Sequence, residues 1–184
     1  LGAFSLCLAQ DQAQAARFTA LGAPNVKCVG NLKWAAPPLP ASTADLAALK
    51  EACAGRPMWL AASTHPGEEE IAAATHERLG AACPGLLTVI VPRHPERGPE
   101  IARALRARGL RLARRHLGET PTPETEVYLA DTLGELGLFY RLAEIVLVGG
   151  SLAPHGGHNP LEPARLSCAL VFGRHMENFA EIAG

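Results

Sequence analysis

The sequence has no CxxC pair, and its five cysteines, Cys7, Cys28, Cys53, Cys83 and Cys168, are scattered and odd in number. That pattern fits neither a zinc ribbon nor a disulfide framework, and a reducing compartment is the simpler setting. No stretch approaches the roughly 18 consecutive apolar residues needed to span a bilayer, and no signal peptide opens the chain, so this piece is expected to be soluble. Neither sign of charge dominates. With a formal net charge of −1 and a pI near 6.7, the chain lacks the global basic field of a dedicated nucleic-acid binder. Internal repeats and low-complexity tracts are absent as well.

What is there suits one α/β core with a small appendage: 184 residues, 48% of them hydrophobic, a length typical of a single domain. Short apolar runs alternate with helical patterns, the signature of a parallel sheet wrapped by helices. Strands are expected at 4–8, 26–29, 58–62, 86–91, 127–130, 145–148 and 170–172, with helices over 12–21, from Ser42 or Thr43 to 53, and over 68–79 and 99–108. Leu136, Phe139, Tyr140 and Ala143 fall on one face of a further short helix. Residues 119–126 read as a polar loop. The cluster Pro37-Pro38-Leu39-Pro40 stiffens the backbone and removes amide donors. It suggests two regions, 1–41 and 42–184. The chain begins at Leu1 and stops at Gly184, just after Asn178-Phe179-Ala180-Glu181-Ile182, which reads as a helix in progress. The expectation is a fragment of a longer protein, truncated at its C-terminus.

In a doubly wound sheet, ligands bind beyond the carboxyl ends of the strands, and the polar clusters of this sequence fall there. Ser63-Thr64-His65-Pro66-Gly67-Glu68-Glu69-Glu70 follows one strand and Pro92-Arg93-His94-Pro95-Glu96-Arg97 the next. Asp131-Thr132-Leu133-Gly134-Glu135 follows a third. Gly149-Gly150-Ser151 follows a fourth and leads to His155-Gly156-Gly157-His158-Asn159-Pro160-Leu161-Glu162-Pro163. Each cluster has two readings. Ser63, Thr64 and the glutamates could cap a helix and complement its dipole, while the glycines after a buried strand allow a phosphate to approach backbone amides. Arg93 could grip a phosphate through two parallel bonds, or pair with Glu96 or Glu68. Glu162 could accept two ribose hydroxyls, or serve as an acid at a helix N-terminus. His155 and His158, without a third ligand, read as loop hydrogen-bonders rather than a metal site.

Taken together and in order, Ala62-Ser63-Thr64-His65 with Gly67-Glu68-Glu69, Pro92 through Arg97, Asp131 through Gly137, and Val148 through Ser151 with Gly156 through Pro163 resemble the Kdo (3-deoxy-D-manno-octulosonic acid) transferase family. Gly30-Asn31-Leu32-Lys33 resembles that family's interdomain segment. The resemblance covers essentially the whole chain. It implies the Rossmann-like C-terminal domain of a GT-B glycosyltransferase, two such domains facing each other across a cleft. It implies an inverting, metal-independent transfer of Kdo from CMP-Kdo to a lipid A precursor at the cytoplasmic face of the bacterial inner membrane, without a cofactor. The cytidine nucleotide would be held by Pro92 and Arg93, by Leu133, Gly134 and Glu135, and by Asn159, Pro160, Leu161 and Glu162. Ser63, Thr64, His65, Gly149, Gly150 and Ser151 are further expected donor contacts, with Arg93 and the Gly134 or Gly150 amides stabilising the departing phosphate. The family usually has Met where Leu133 stands, a volume-conserving change. Its catalytic base lies in the N-terminal domain, so no catalytic residue is expected here and the chain alone should be inactive. The alternatives are another GT-B nucleotide-sugar enzyme, such as a UDP-sugar transferase or epimerase, and a non-catalytic nucleotide-binding module.

Arg103, Arg106, Arg108, Arg111, Arg114 and Arg115 stand apart from these motifs. They read either as a solvated helix face with a following strand edge or as a surface for anionic lipid.

Overall fold

The computed structural model describes residues 1–183. It divides into two compact units, Leu1–Pro37 and Pro38–Gly184, with the division falling inside the proline cluster.

The first unit is small. Strand β1 (Cys7–Ala9), helix α1 (Gln12–Ala20) and strand β2 (Val26–Cys28) form a β-α-β unit whose strands pair in parallel, with Cys7 opposite Val26. Asp11 starts α1, its side chain accepting the Gln14 amide at 2.7 Å, and so satisfies one of the donors a helix N-terminus leaves free. The strand expected at 4–8 is shifted toward its C-terminal side, because residues 1–6 are exposed and unpaired in the sheet.

The second unit begins with α2 (Thr43–Ala52), capped by Ser42. It continues through β3 (Met58–Thr64), α3 (Glu68–Gly80), β4 (Leu87–Pro92), α4 (Gly98–Ala107), β5 (Leu112–Arg114), β6 (Val127–Leu129), α5 (Leu136–Tyr140), β7 (Ile145–Val148), α6 (Leu161–Ala164), β8 (Ala169–Val171) and α7 (Ala180–Ala183). The six strands form one parallel sheet in the order β5-β6-β4-β3-β7-β8. Successive residues of β3 serve opposite faces. Leu60 and Ala62 pack with Leu49 of α2 and Leu138 and Phe139 of α5, whereas Ala61 packs with Ala72 and Ala73 of α3 and Ile101 and Leu105 of α4. Burial on both sides explains why β3, β4 and β7 read as near-continuous apolar runs.

The sheet grows outward from β3 toward β4 and then reverses, so that β7 lies on the other side of β3. The carboxyl ends of β3 and β7 therefore flank the switch point, where such sheets open a crevice. Differences from the sequence expectation are local. α5 stops at Tyr140, three residues short of Ala143, which is still buried. β5 gives definite bounds to the strand edge read in the arginine-rich stretch. A 3-10 turn over Glu177–Phe179 precedes α7, so the expected C-terminal helix starts two residues after Asn178; Gly184 lies outside the described residues. Among the described residues, no helix is long and apolar enough to cross a membrane.

Candidate functional site

The switch point is built on a strained backbone. Ser63 has φ 57 and marks an irregularity in the pairing of β3 with β4, between Ala62 and Thr64; a bulge of this kind bends a strand and turns the next side chains in a new direction. Gly149, where β7 ends, passes so close to this bulge that a Cβ there would collide with the Ser63 and Ala62 carbonyl oxygens. The glycine is required by that close approach. Gly150 comes next in the left-handed region, φ 67, against the His158 and His65 rings, which a Cβ would meet at 3.3 and 3.4 Å.

Several expected donor contacts prove to be occupied. The Gly150 amide donates to Glu68 Oε2 at 2.7 Å and the Ser151 amide to Glu68 Oε1 at 3.1 Å. The Gly150 amide, expected to face a phosphate, is engaged by Glu68 in this structure. The Ser151 hydroxyl is fully buried, donating to Val148 O at 2.5 Å and accepting from the Gly173 amide at 2.9 Å. Thr64 Oγ1, also fully buried, donates to Glu69 Oε1 at 2.8 Å. Ser151 and Thr64 thus latch the rim from inside instead of facing a ligand.

His65 is different. Its ring stacks on His155 with centroids 4.1 Å apart and on His158 at 5.1 Å, and meets His94 edge-on at 6.0 Å. His65 Nε2 lies 2.9 Å from His158 Nε2, so one nitrogen of the pair must donate and the other accept. This cluster joins the loops after β3, β4 and β7. Burial pushes the His158 pKa down to about 4, with the neighbouring His65 and Arg93 adding to the effect; burial, then His155, lowers that of His65. Both rings are accordingly neutral near pH 7. Arg93 is exposed beside them. Its guanidinium forms no ion pair or hydrogen bond among the described residues: Glu96 pairs with His94 and Glu68 with backbone amides. The two intramolecular partners considered for Arg93 are thus both taken, and the cation is open to a ligand.

The remaining predicted residues lie on the α5–α6 side of the rim. Leu133 is 79% exposed and Gly134, φ 79, sits beside it at the loop tip. Glu135 is held by Arg115 Nη2 at 2.6 Å and Nε at 3.2 Å, and by a short hydrogen bond from Thr132. The Arg115 guanidinium is the main reason its carboxyl lies below the usual range. A cavity of about 220 Å³ opens between Gly134, Glu135 and Leu138 and the segment Pro40-Ala41-Ser42. Glu162 is half-buried on α6, oriented by Asn159 Nδ2 at 3.0 Å, while Asn159 Oδ1 accepts the Leu161 amide at 3.2 Å. Pro160 and Leu161 are buried beneath this pair. The structure thus gathers His65, Gly150, His158 and Arg93 at the switch point. It sets Leu133–Glu135 on the loop after β6 and Asn159–Glu162 where the loop after β7 enters α6, Asn159 directly following His158 in the chain.

Two ion pairs that brace the rim carry no signal in the sequence. Asp131, almost fully buried, accepts Arg114 Nε at 3.1 Å and Nη2 at 2.5 Å, and its other oxygen takes the His116 amide. Gly98, the first residue of α4, packs directly on that carboxylate. Glu69 binds Arg97 Nη1 at 2.8 Å. Arg114 lies seventeen residues from Asp131 in a polar edge strand, and nothing local in the sequence links them. Arg108 pairs with Glu77, Arg111 with Glu126 and Arg115 with Glu135 and Asp45. Four of the six clustered arginines are therefore engaged within the domain, against a free cationic surface. A cavity of about 370 Å³ lies away from these ion pairs, in an apolar groove lined by Trp59, Ile71, Leu79, Ile145 and Val171.

No protein-family model matches the chain. A 3-deoxy-D-manno-octulosonic acid transferase of Haemophilus influenzae is 41% identical over 181 residues, 97% of this chain and 42% of that protein. One from Bordetella pertussis is 37% identical over 182 residues, 96% of this chain and 42% of that protein. Among solved structures, the C-terminal CMP-Kdo binding domain of WaaA from Acinetobacter baumannii is 39% identical. It superposes with a TM-score of 0.71 over 76% of this chain and 74% of that one. The chain belongs to the Kdo transferase family. It spans less than half the length of these transferases, and the match to the WaaA domain agrees with a Rossmann-like C-terminal GT-B domain. Apart from Gly30-Asn31-Leu32-Lys33, which lies in the first unit, the motifs that resemble the Kdo transferase family in the sequence are the ones that form this rim.

Proposed function

We propose that this chain supplies the donor site of an inverting glycosyltransferase that moves Kdo from CMP-Kdo to a lipid A precursor. The observation that carries the reading is the 39% identical fold match to a domain described as CMP-Kdo binding. It is joined by an exposed, unpartnered Arg93 at the switch point of the same sheet. In this reading the CMP phosphate lies against Arg93 and Pro92, the ribose hydroxyls reach Glu162, and the base enters the cavity beside Gly134 and Glu135. Asn159 aims Glu162, and Pro160 and Leu161 support that turn from below.

Breaking the bond between Kdo and phosphate leaves negative charge on the phosphate. A fixed guanidinium stabilises that state more than the ground state, which is how a donor site accelerates transfer. Arg93, with the Gly134 amide, carries this role, and the reading assigns it to no metal ion or cofactor. Deprotonation of the acceptor hydroxyl belongs to a base in the partner domain of the longer protein, with inversion at the anomeric carbon. The acceptor makes the cytoplasmic face of the bacterial inner membrane the place of work, with no nucleic acid involved.

Thermal protection tests the donor assignment. At a hundredfold excess over its Kd, a nucleotide stabilises by about 2.7 kcal/mol, roughly 5–10 °C for a domain of this size. CMP is expected to give that shift, and UMP or UDP a clearly smaller one. Equal protection by UMP would point to another nucleotide-sugar enzyme, and no protection by CMP would reject the site.

A further inference from the structure

Glu68 is the most completely enclosed acid of the rim: its side chain is fully buried and has no cationic partner among the described residues. Its two oxygens instead accept four backbone amides. Oε2 takes those of His65 at 2.9 Å and Gly150 at 2.7 Å; Oε1 takes those of Ser151 at 3.1 Å and Leu152 at 3.0 Å. Three of these are successive amides of one loop, a concave nest of the kind that elsewhere holds an anion such as phosphate. Here the chain fills its own nest.

This geometry has two consequences. The carboxylate bonds to the loop after β3 and to the loop after β7, so one side chain fixes the separation of the two walls of the switch point. It also fixes Gly150, which faces the His65 and His158 rings so closely that a Cβ there would meet them at 3.4 and 3.3 Å, and those rings stand beside Arg93, whose charge acts on both. Without the carboxylate, four buried amides lose their acceptor, a state costly enough that the loops must rearrange.

We propose that Glu68 is a positioning residue of the donor site: its carboxylate plugs the amide nest between the two loops, sets the wall on which Arg93 and the imidazoles present themselves, and keeps the donor phosphate out of the nest. The proposal rests on the CMP-Kdo reading of the site. Because the nest accepts a carboxylate, a small one supplied from solution can replace the missing side chain.

The test compares wild type, Glu68→Ala and Glu68→Gln. Each variant is checked for native circular dichroism well below its melting temperature, and CMP affinity is measured by calorimetry with and without millimolar sodium formate. Glu68→Ala is expected to melt lower and to bind CMP at least about tenfold more weakly, with formate restoring both properties saturably. Glu68→Gln, whose amide fills the space with only one good acceptor, is expected to bind weakly and to ignore formate; wild type should bind tightly and ignore it too. A folded Glu68→Ala that binds CMP as tightly as wild type overturns the proposal. Formate that restores stability but not affinity also overturns it, leaving Glu68 a structural group. If Glu68→Ala fails to fold even in formate, Glu68→Gln decides, and wild-type affinity there is again fatal. A wild-type chain that binds no CMP is a separate result: it removes the donor-site reading itself, and the positioning role with it.

Discussion

Arg93 and Glu68 occupy the same rim and do opposite things with their charge. Glu68 commits both of its oxygens to the protein's own amides, whereas the Arg93 guanidinium has no partner among the described residues. A cation left open at a strand end is available to a ligand, and removing it costs the fold little. Arg93→Ala is therefore expected to weaken CMP binding by about 1.5–3 kcal/mol, the value of a hydrogen bond to a charged group, with a melting temperature unchanged within error. Calorimetry and a thermal scan of the same sample check both halves. The position of Arg93 was legible in the sequence because it comes after a buried apolar run. The task of Glu68 was not, because a glutamate after glycine at a helix start looks like an ordinary dipole partner. Its real partners include amides more than eighty residues away in the chain.

The histidines add a pH dependence at the same scale. The folded-state pKa of His158 is depressed to about 4 from an unfolded value of about 6.5, so between these limits the unfolded chain binds more protons than the folded one. Stability present above about pH 6.5 is accordingly lost as the pH falls toward 4. The half-exposed site screens the effect. His158→Gln should show a smaller fall in melting temperature between pH 7.5 and pH 5 than wild type; parallel curves would mean that His158 is not held neutral by the fold.

At the scale of elements, the strands that position the site were the most readable parts. β3, β4 and β7 are buried on both faces and wrote themselves as short apolar runs bounded by glycine, proline or polar clusters. β5 was legible only as a strand edge following the arginine-bearing helix, without bounds, since a three-residue edge strand ending in Arg114 carries no periodicity of its own. Its arginine is buried because Asp131 is there to receive it, a tertiary fact. The same carboxylate explains Gly98. Any side chain at the start of α4 would meet Asp131, so Gly98→Ala must displace either the helix or the ion pair. A loss of about 1–3 kcal/mol is expected, as for other overpacked sites, measurable by urea unfolding. A variant as stable as wild type would show that α4 can shift without disturbing the Asp131–Arg114 pair.

For the molecule as a whole, the second unit carries every residue of the proposed donor site, and a region of about 140 residues is large enough for an independent core. The sequence motifs fall on one rim because in a parallel sheet all strand ends meet on one edge, so topology alone brings distant loops together. They could not separate the groups that face outward from those turned inward: Ser151, Thr64 and the Gly150 amide were expected to meet the donor and are consumed by the fold. The central claim is that the outward-facing remainder forms one nucleotide site. A crystal structure of this chain with CMP tests it most directly. The account predicts the phosphate against the Arg93 guanidinium, the ribose hydroxyls on the Glu162 carboxylate and the cytosine in the cavity beside Gly134 and Glu135, whereas CMP seated in the apolar groove by Trp59 and Ile145, or anywhere out of reach of Arg93, would contradict it.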